Sequence, residues 1–309
     1  MDTAYDAAIE LAGSVCRVAV HGPVGEHYQS EHALPSNGGA ALIGADAPDG
    51  SPQGQTLTAI WTALQAAENA VAGTLQSLCV LLHAPEGFVV QAPLAQTASE
   101  TEVRRALVQQ AALLTGARKK DALRLVHTRV AAPLPGPKNH QWHRALVVSE
   151  AARQRIQQWA DALDIRSATI AHSASRTCEV DPTPGGWHLG IGCYGTHTEI
   201  ALWHALNCAY VYYTPLARTA ADRIYFATLL LNRLQVAQTD LVRMWTYGTG
   251  AESAPDMPAL AGLQPQPARL VDAADLPASA ALAESDAYGH RLRWAPPLSV
   301  LHSVAPPSA

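Results

Sequence analysis

Nowhere in the sequence does an apolar run reach the roughly 18 residues of a membrane-crossing helix, and nowhere do five or six like charges stand in a block. The first absence predicts a chain that does not insert directly into a bilayer. The second, with 26 Asp+Glu against 21 Lys+Arg and a net charge of -5, predicts no nucleic-acid partner, because no cationic face is offered to a phosphate backbone. Cysteine is scarce as well. Its five copies (Cys16, Cys79, Cys178, Cys193, Cys208) are odd in number, widely spaced and set among apolar residues, as buried thiols are in a reducing compartment. No CxxC pair or HExxH occurs to mark a zinc site, and no GxSxG elbow to mark a hydrolase nucleophile. The opening "MDTAYDAAIE" lacks a basic segment followed by an apolar run, so the expectation is a cytoplasmic protein, at most peripheral to a membrane.

What is present is a long chain with a large apolar fraction. Its 309 residues are 48% hydrophobic, enough for two domains with their own cores. Pro/Gly-rich stretches at 44–55 and 133–140 read as loops, and "DPTPGG" (181–186) separates two patterned halves. In the first half, Ile9–Val20 and Val24–Leu34 read as paired strands. A helix follows at Thr56–Leu75 with Ile60, Leu64, Ala67 and Val71 on one face, then a buried strand at 78–83. "FVVQAPL" (88–94) continues extended structure. Residues 99–116 form a helix with a Ser99/Glu102 capping box, a Val103, Leu107, Ala111, Leu114 stripe and a closing Gly116. Strands at 123–130 and 143–149, a helix burying Ile156, Trp159 and Leu163, and a strand near Ser167–Ala171 complete this half. The second half begins again with strands at 187–195, 197–203 and 208–214. A helix from Thr219 is capped by Asp222 and turns Ile224, Ala227, Leu231 and Leu234 inward; a strand at 241–248 and a short helix at Met257–Leu263 follow.

The halves share one order of strand, turn, strand, strand, helix, apolar strand, helix, strand, and the first carries an insertion at about 85–141. This duplication, with a strand-turn-strand hairpin opening each half, resembles the actin-like ATPase superfamily. Residues 99–116, 123–130 and 143–170 are similar to the part of PilM-type and secretion-platform proteins in which a small inserted subdomain returns to the main sheet; 221–251 and 286–295 resemble later parts of the same proteins. The resemblance implies an α/β, duplicated actin-like (RNase H-like) two-domain fold. Its first domain would be 1–180 with the insertion at about 85–141, and its second 187–309.

The resemblance also implies a nucleotide site. Such a site needs an acid on the first strand of each half to hold a metal through water, and small residues at each turn so that backbone N–H groups approach phosphates. Glu10 stands where the superfamily usually has Asp, and Ala12 where it usually has Gly, followed by Gly13 and Ser14. In the second hairpin Gly192, Gly195, Thr196 and Thr198 are the phosphate-side candidates, but no Asp precedes them and Glu199 lies on the returning strand; Gly248 and Gly250 form the adenine-side turn. Each position has a plainer reading. Glu10 pairs with Arg17 across the turn, and Gly192 and Gly195 make a tight hairpin with positive φ. His188, Cys193 and His197 crowd the second hairpin, with strand alternation sending them to different faces, and "HSAS" (172–175) has no orienting acid nearby in sequence. The implied role is a cytoplasmic scaffold with a degenerate site (a pseudo-ATPase) holding ATP/ADP with Mg weakly or not at all. Its implied partner is the cytoplasmic tail of an inner-membrane protein of a pilus- or secretion-type machine, with self-association. The alternatives are an active ATP-dependent kinase or filament ATPase, and a structural dimer whose cleft is filled by side chains.

Overall fold

The structure, a computed structural model, describes residues 3–22, 27–44, 48, 50–71, 73–84, 86–115, 123–175, 186–205 and 207–248. Two large sheets repeat one plan. In the first, β1 (Thr3–Ala12), β2 (Val15–His21) and β3 (His27–Ala33) form an antiparallel meander. Helix α2 (Pro52–Ala70) then crosses over and β4 (Gly73–Leu82) returns parallel to β1, with β8 (Ser167–His172) added beside β4. In the second, β9 (Trp187–Cys193), β10 (Thr198–His204) and β11 (Asn207–Thr214) form the meander, α5 (Ala220–Arg233) crosses, and β12 (Leu241–Tyr247) returns parallel to β9. The strand orders are β3-β2-β1-β4-β8 and β11-β10-β9-β12. In the first hairpin Glu10 faces Arg17, and in the second Gly192 faces Glu199.

Period-2 alternation sends the two faces of the first sheet to different neighbours. Tyr5, Ala7, Ile9 and Leu11 of β1 join Val18, Val20, Leu78 and Val80 in a core closed by Ile60 and Leu64 of α2 and by Ile156 of α4 (Glu150–Ala162). Burying each such Ile or Leu contributes roughly 1.5–3 kcal/mol. The other face carries Ala8, Ala19, Cys79, Leu81 and Ala171. Its alanines leave room on the side where Glu10 and Arg17 also point.

A third sheet, β5-β7-β6, is made of β5 (Phe88–Ala95), β6 (Leu123–Arg129) and β7 (His140–Ser149) and is backed by α3 (Glu100–Thr115). The strand read at 143–149 is part of β7, the centre of this small sheet. Its Ala145 and Val147 pack on Val103 and Leu107 of α3, while Leu146 and Val148 reach the first core. The small sheet also grips the second large one. The Gln91 side-chain amide donates to Val211 O at 2.7 Å and accepts from Val211 N at 3.0 Å, which satisfies part of edge strand β11.

Two elements differ from the sequence expectation. The helix expected to run to Leu75 ends at Ala70, because Val71 turns extended and Gly73–Leu82 pairs with β1. A short helix α1 (Gly38–Ile43) arises in a Gly-rich stretch, where a Cβ on Gly38 would lie 2.6 Å from the Leu34 side chain. On α3, Val103, Leu107 and Ala111 are buried, but Leu114 is 62% exposed. Gly116, the helix at Met257–Leu263, residues 286–295 and most of the expected boundary at 181–186 lie outside the described residues.

Candidate functional site: a buried charge bridge between the two sheets

On the face of the first sheet opposite α2, one row of side chains crosses three strands. Glu31 of β3 accepts from Arg17 Nε at 2.9 Å, and Arg17 NH1 donates to Glu10 Oε2 at 2.6 Å. Two residues along β4 from the partner of Glu10 is His83, just past the strand end. Its Nε2 is 3.0 Å from Glu10 Oε1, and its Nδ1 is 3.0 Å from Glu199 Oε1 on β10 of the second sheet. One imidazole therefore spans the gap between an acid of each half. Ser173 Oγ donates to Glu199 Oε2 at 2.8 Å, and Tyr194 Oη donates to Glu10 Oε1 at 3.2 Å. Glu10, Arg17, Ser173 and Glu199 are each 0% exposed and His83 is 2% exposed.

The charges decide the protonation states. Burial works to neutralise His83, but the charge on Glu199 and the hydrogen bonds to both carboxylates push its pKa up to about 10. Burial likewise opposes ionisation of Glu10, yet the Arg17 charge and the His83 hydrogen bond hold its carboxyl below the usual range. Glu199 lies well below that range, its burial outweighed first by His83. His172, 3.6 Å from Glu199, is pushed down to about 4, chiefly by burial. The result is an alternating line, Glu31⁻, Arg17⁺, Glu10⁻, His83⁺, Glu199⁻, sealed from water except at its Glu31 end. Deleting one member of such a line strands a buried charge, at roughly 3–5 kcal/mol.

The glycines of the second half make room for the chain's own rings. Glu199, Gly192 and Tyr247 lie side by side across β10, β9 and β12. A Cβ on Gly192 would stand 2.8 Å from the Tyr247 ring, and one on Gly248 would stand 2.8 Å from the Tyr194 ring. Gly248 has φ +92, so it is glycine for its backbone as well. Neither Gly192 nor Gly195 takes the positive φ expected of it; the second turn closes instead by Tyr194 N donating to His197 O at 3.1 Å. Gly13 does have positive φ, +61, and a Cβ there would meet nothing within 4 Å. Ser14, Gly195 and Thr196 are exposed at the two hairpin tips, and Gly250 lies outside the described residues.

The structure therefore brings Glu10 and Gly192 into one buried centre, sets Gly248 under Tyr194 beside it, and leaves Gly13, Ser14, Gly195 and Thr196 at its rim. This arrangement does not fit a magnesium nucleotide. Magnesium wants carboxylate and water oxygens, whereas both oxygens of Glu10 are committed to Arg17 and His83, and tyrosine rings fill the space over the glycines.

The members that sequence reading missed are His83, His172, Ser173, Tyr194 and Tyr247. A signal existed for one of them. His83 ends a strand whose last five residues are all buried, at the carboxyl end of a parallel pair, where α/β sheets gather their functional groups. The "HSAS" stretch has no orienting acid beside it in sequence. Glu199 is that acid, brought to Ser173 from 26 residues away.

No protein-family model matches the sequence, and no curated protein matches it in sequence. Solved structures do match its shape. The chain is similar to the PilM-PilN type IV pilus biogenesis complex with a TM-score of 0.60, over 97% of this chain and 99% of that one, at 11% identity. A Bacteroides thetaiotaomicron protein with an actin-like ATPase fold gives 0.45 over 79% and 82% at 9% identity, and the ethanolamine utilization protein EutJ of Carboxydothermus hydrogenoformans gives 0.43 over 96% and 89% at 9% identity. With the repeated sheet order, the likeness to the pilus complex places the chain in the actin-like fold expected from its sequence.

Proposed function

We propose that this protein is a non-catalytic actin-like scaffold that docks a short cytoplasmic segment of an inner-membrane assembly protein in a pilus- or secretion-type machine. One observation carries the reading. The cleft between the two opening hairpins, where a fold of this kind would hold nucleotide, is occupied by the Glu10–His83–Glu199 bridge and by Tyr194 and Tyr247. A protein with that centre works by the shape it holds. The full-length likeness to a structure of a pilus biogenesis complex supports the choice of machine, and no helix among the described residues is long and apolar enough to cross a membrane.

The test has two arms. Purified protein is titrated with synthetic peptides covering the cytoplasmic tails of inner-membrane proteins encoded beside it, and one should bind at about micromolar Kd, or roughly -8 kcal/mol. Silence across all of them removes the docking role. In parallel, calorimetry with Mg-ATP should show no saturable heat. Saturable binding that Glu10→Ala abolishes, together with phosphate release, would replace this reading with an ATP-dependent enzyme.

A further inference from the structure

Glu199 Oε1 is a meeting point for three imidazole rings: His83 Nδ1 at 3.0 Å, His197 Nε2 at 3.5 Å and His172 Nε2 at 3.6 Å. Donor atoms of His83, His197 and Glu199 all lie within 4.8 Å of one another, and all three residues are buried. His197 adds an independent sign of a missing partner. The residue is 5% exposed, and its Nε2 is buried with no hydrogen-bond partner, while its Nδ1 sits 2.9 Å from Thr196 Oγ1. An imidazole nitrogen sealed from water and left unmatched is costly unless something accepts its lone pair.

The ring nitrogens sort into those that can ligate and those that can only support. His83 Nε2 faces Glu10 Oε1, which keeps a proton on that nitrogen and leaves Nδ1 turned toward Glu199. The Thr196 hydroxyl can take the Nδ1 proton of His197, and with the proton on that side the Nε2 lone pair faces inward, 3.5 Å from Glu199 Oε1. His172 is arranged the other way. Its Nδ1 accepts the Ala174 N–H at 3.2 Å, so its Nε2 carries the proton and can only donate to Glu199. Histidines that bind metals almost always hand their second N–H to a carboxylate or another acceptor. Here Glu10, held in turn by Arg17, stands in that position behind His83.

We propose that His83 Nδ1, His197 Nε2 and Glu199 form a site for a zinc-class divalent ion that staples the first sheet to the second. Two imidazoles and one carboxylate suit a borderline-soft transition ion, and not magnesium or calcium, which favour oxygen. Ser173 Oγ, 3.0 Å from His83 Nδ1 and 2.8 Å from Glu199 Oε2, stands beside the ion. In the metal-free arrangement a proton on His83 Nδ1 fills this place; when the ion enters, that proton leaves to solvent. The staple goes beyond the docking role and does not depend on it.

Full-length protein purified without chelator is analysed for bound metals, then stripped and titrated with Zn²⁺, and with Co²⁺ as an absorbing probe. One ion per chain is expected, with a melting temperature that zinc raises. His197→Ala should weaken binding by about 100-fold and Thr196→Val by about 10-fold. Another histidine pair, His127 Nε2 at 2.8 Å from His143 Nδ1, supplies the control: His127→Ala must leave the ion in place. Should the His197→Ala chain fail to fold, Thr196→Val at the exposed hairpin tip still decides the matter. Substoichiometric metal on the folded wild-type chain, unchanged affinity in Thr196→Val, or loss of the ion in His127→Ala overturns the proposal.

Discussion

Gly192 shows how one residue sets the chemistry of the whole centre. It lies between Glu199 and Tyr247 in a single row of the second sheet, and having no side chain it lets the tyrosine ring lie across it. In the first sheet the acid Glu10 stands on β1 and faces Arg17 on β2, whereas in the second the acid Glu199 stands on β10 and faces this glycine on β9. The two halves thus place their acids on different strands, one on β1 and one on β10, so the acids meet through His83 and not by symmetry. Gly192→Ala would force a methyl group within 2.8 Å of the Tyr247 ring. Overpacking of this kind costs about 1–3 kcal/mol, read as a lower urea midpoint. Tyr247→Leu in the same chain should recover part of that loss; strictly additive costs would show that the ring is not the obstacle.

At the scale of elements, helices were most legible where their ends carry their own chemistry. The Thr219/Asp222 box closes α5 with Asp222 N donating to Thr219 Oγ1 at 3.1 Å and Thr219 N donating to Asp222 Oδ2 at 3.0 Å. The Ser99/Glu102 box does the same for α3. Thr219→Ala should cost about 1 kcal/mol in chemical denaturation, with Thr219→Ser close to wild type; an alanine variant as stable as the parent would show that α5 is held by packing alone. Element ends without such signals were harder to place. The apolar tail of β7 suits either sheet, and only its pairing with β5 and β6 assigned it. Leu114 continues the helical period of α3 but is exposed, because periodicity reports what a helix could bury and not how far its partner sheet extends.

At the scale of the molecule, the bridge joins the two sheets by bonds between residues 116 and 184 positions apart in the chain. The small sheet adds a second tie, through Gln91 on Val211 and through Trp142 edge-on to Tyr210 at 5.9 Å. The described residues should therefore unfold in one calorimetric transition, with amides of both large sheets losing protection together. His83→Gln removes the cation between Glu10 and Glu199 and should split off a second transition at lower temperature. Two transitions in the wild-type protein would mean that the sheets are stable independently and the bridge does not couple them.

The duplicated plan, the two meanders and the capped helices follow from the sequence alone, because each is written in residues a few positions apart: alternation along a strand, a 3.6-residue stripe, a cap beside its helix. The chemistry of the centre is not local. Which group Glu10 faces, what Glu199 is paired with, and what fills the space over Gly192 and Gly248 all depend on strands and turns that meet only when the sheets assemble. Tertiary structure made that decision, because a charge removed from water takes whatever partner the fold brings within about 3 Å, wherever that partner lies in the chain.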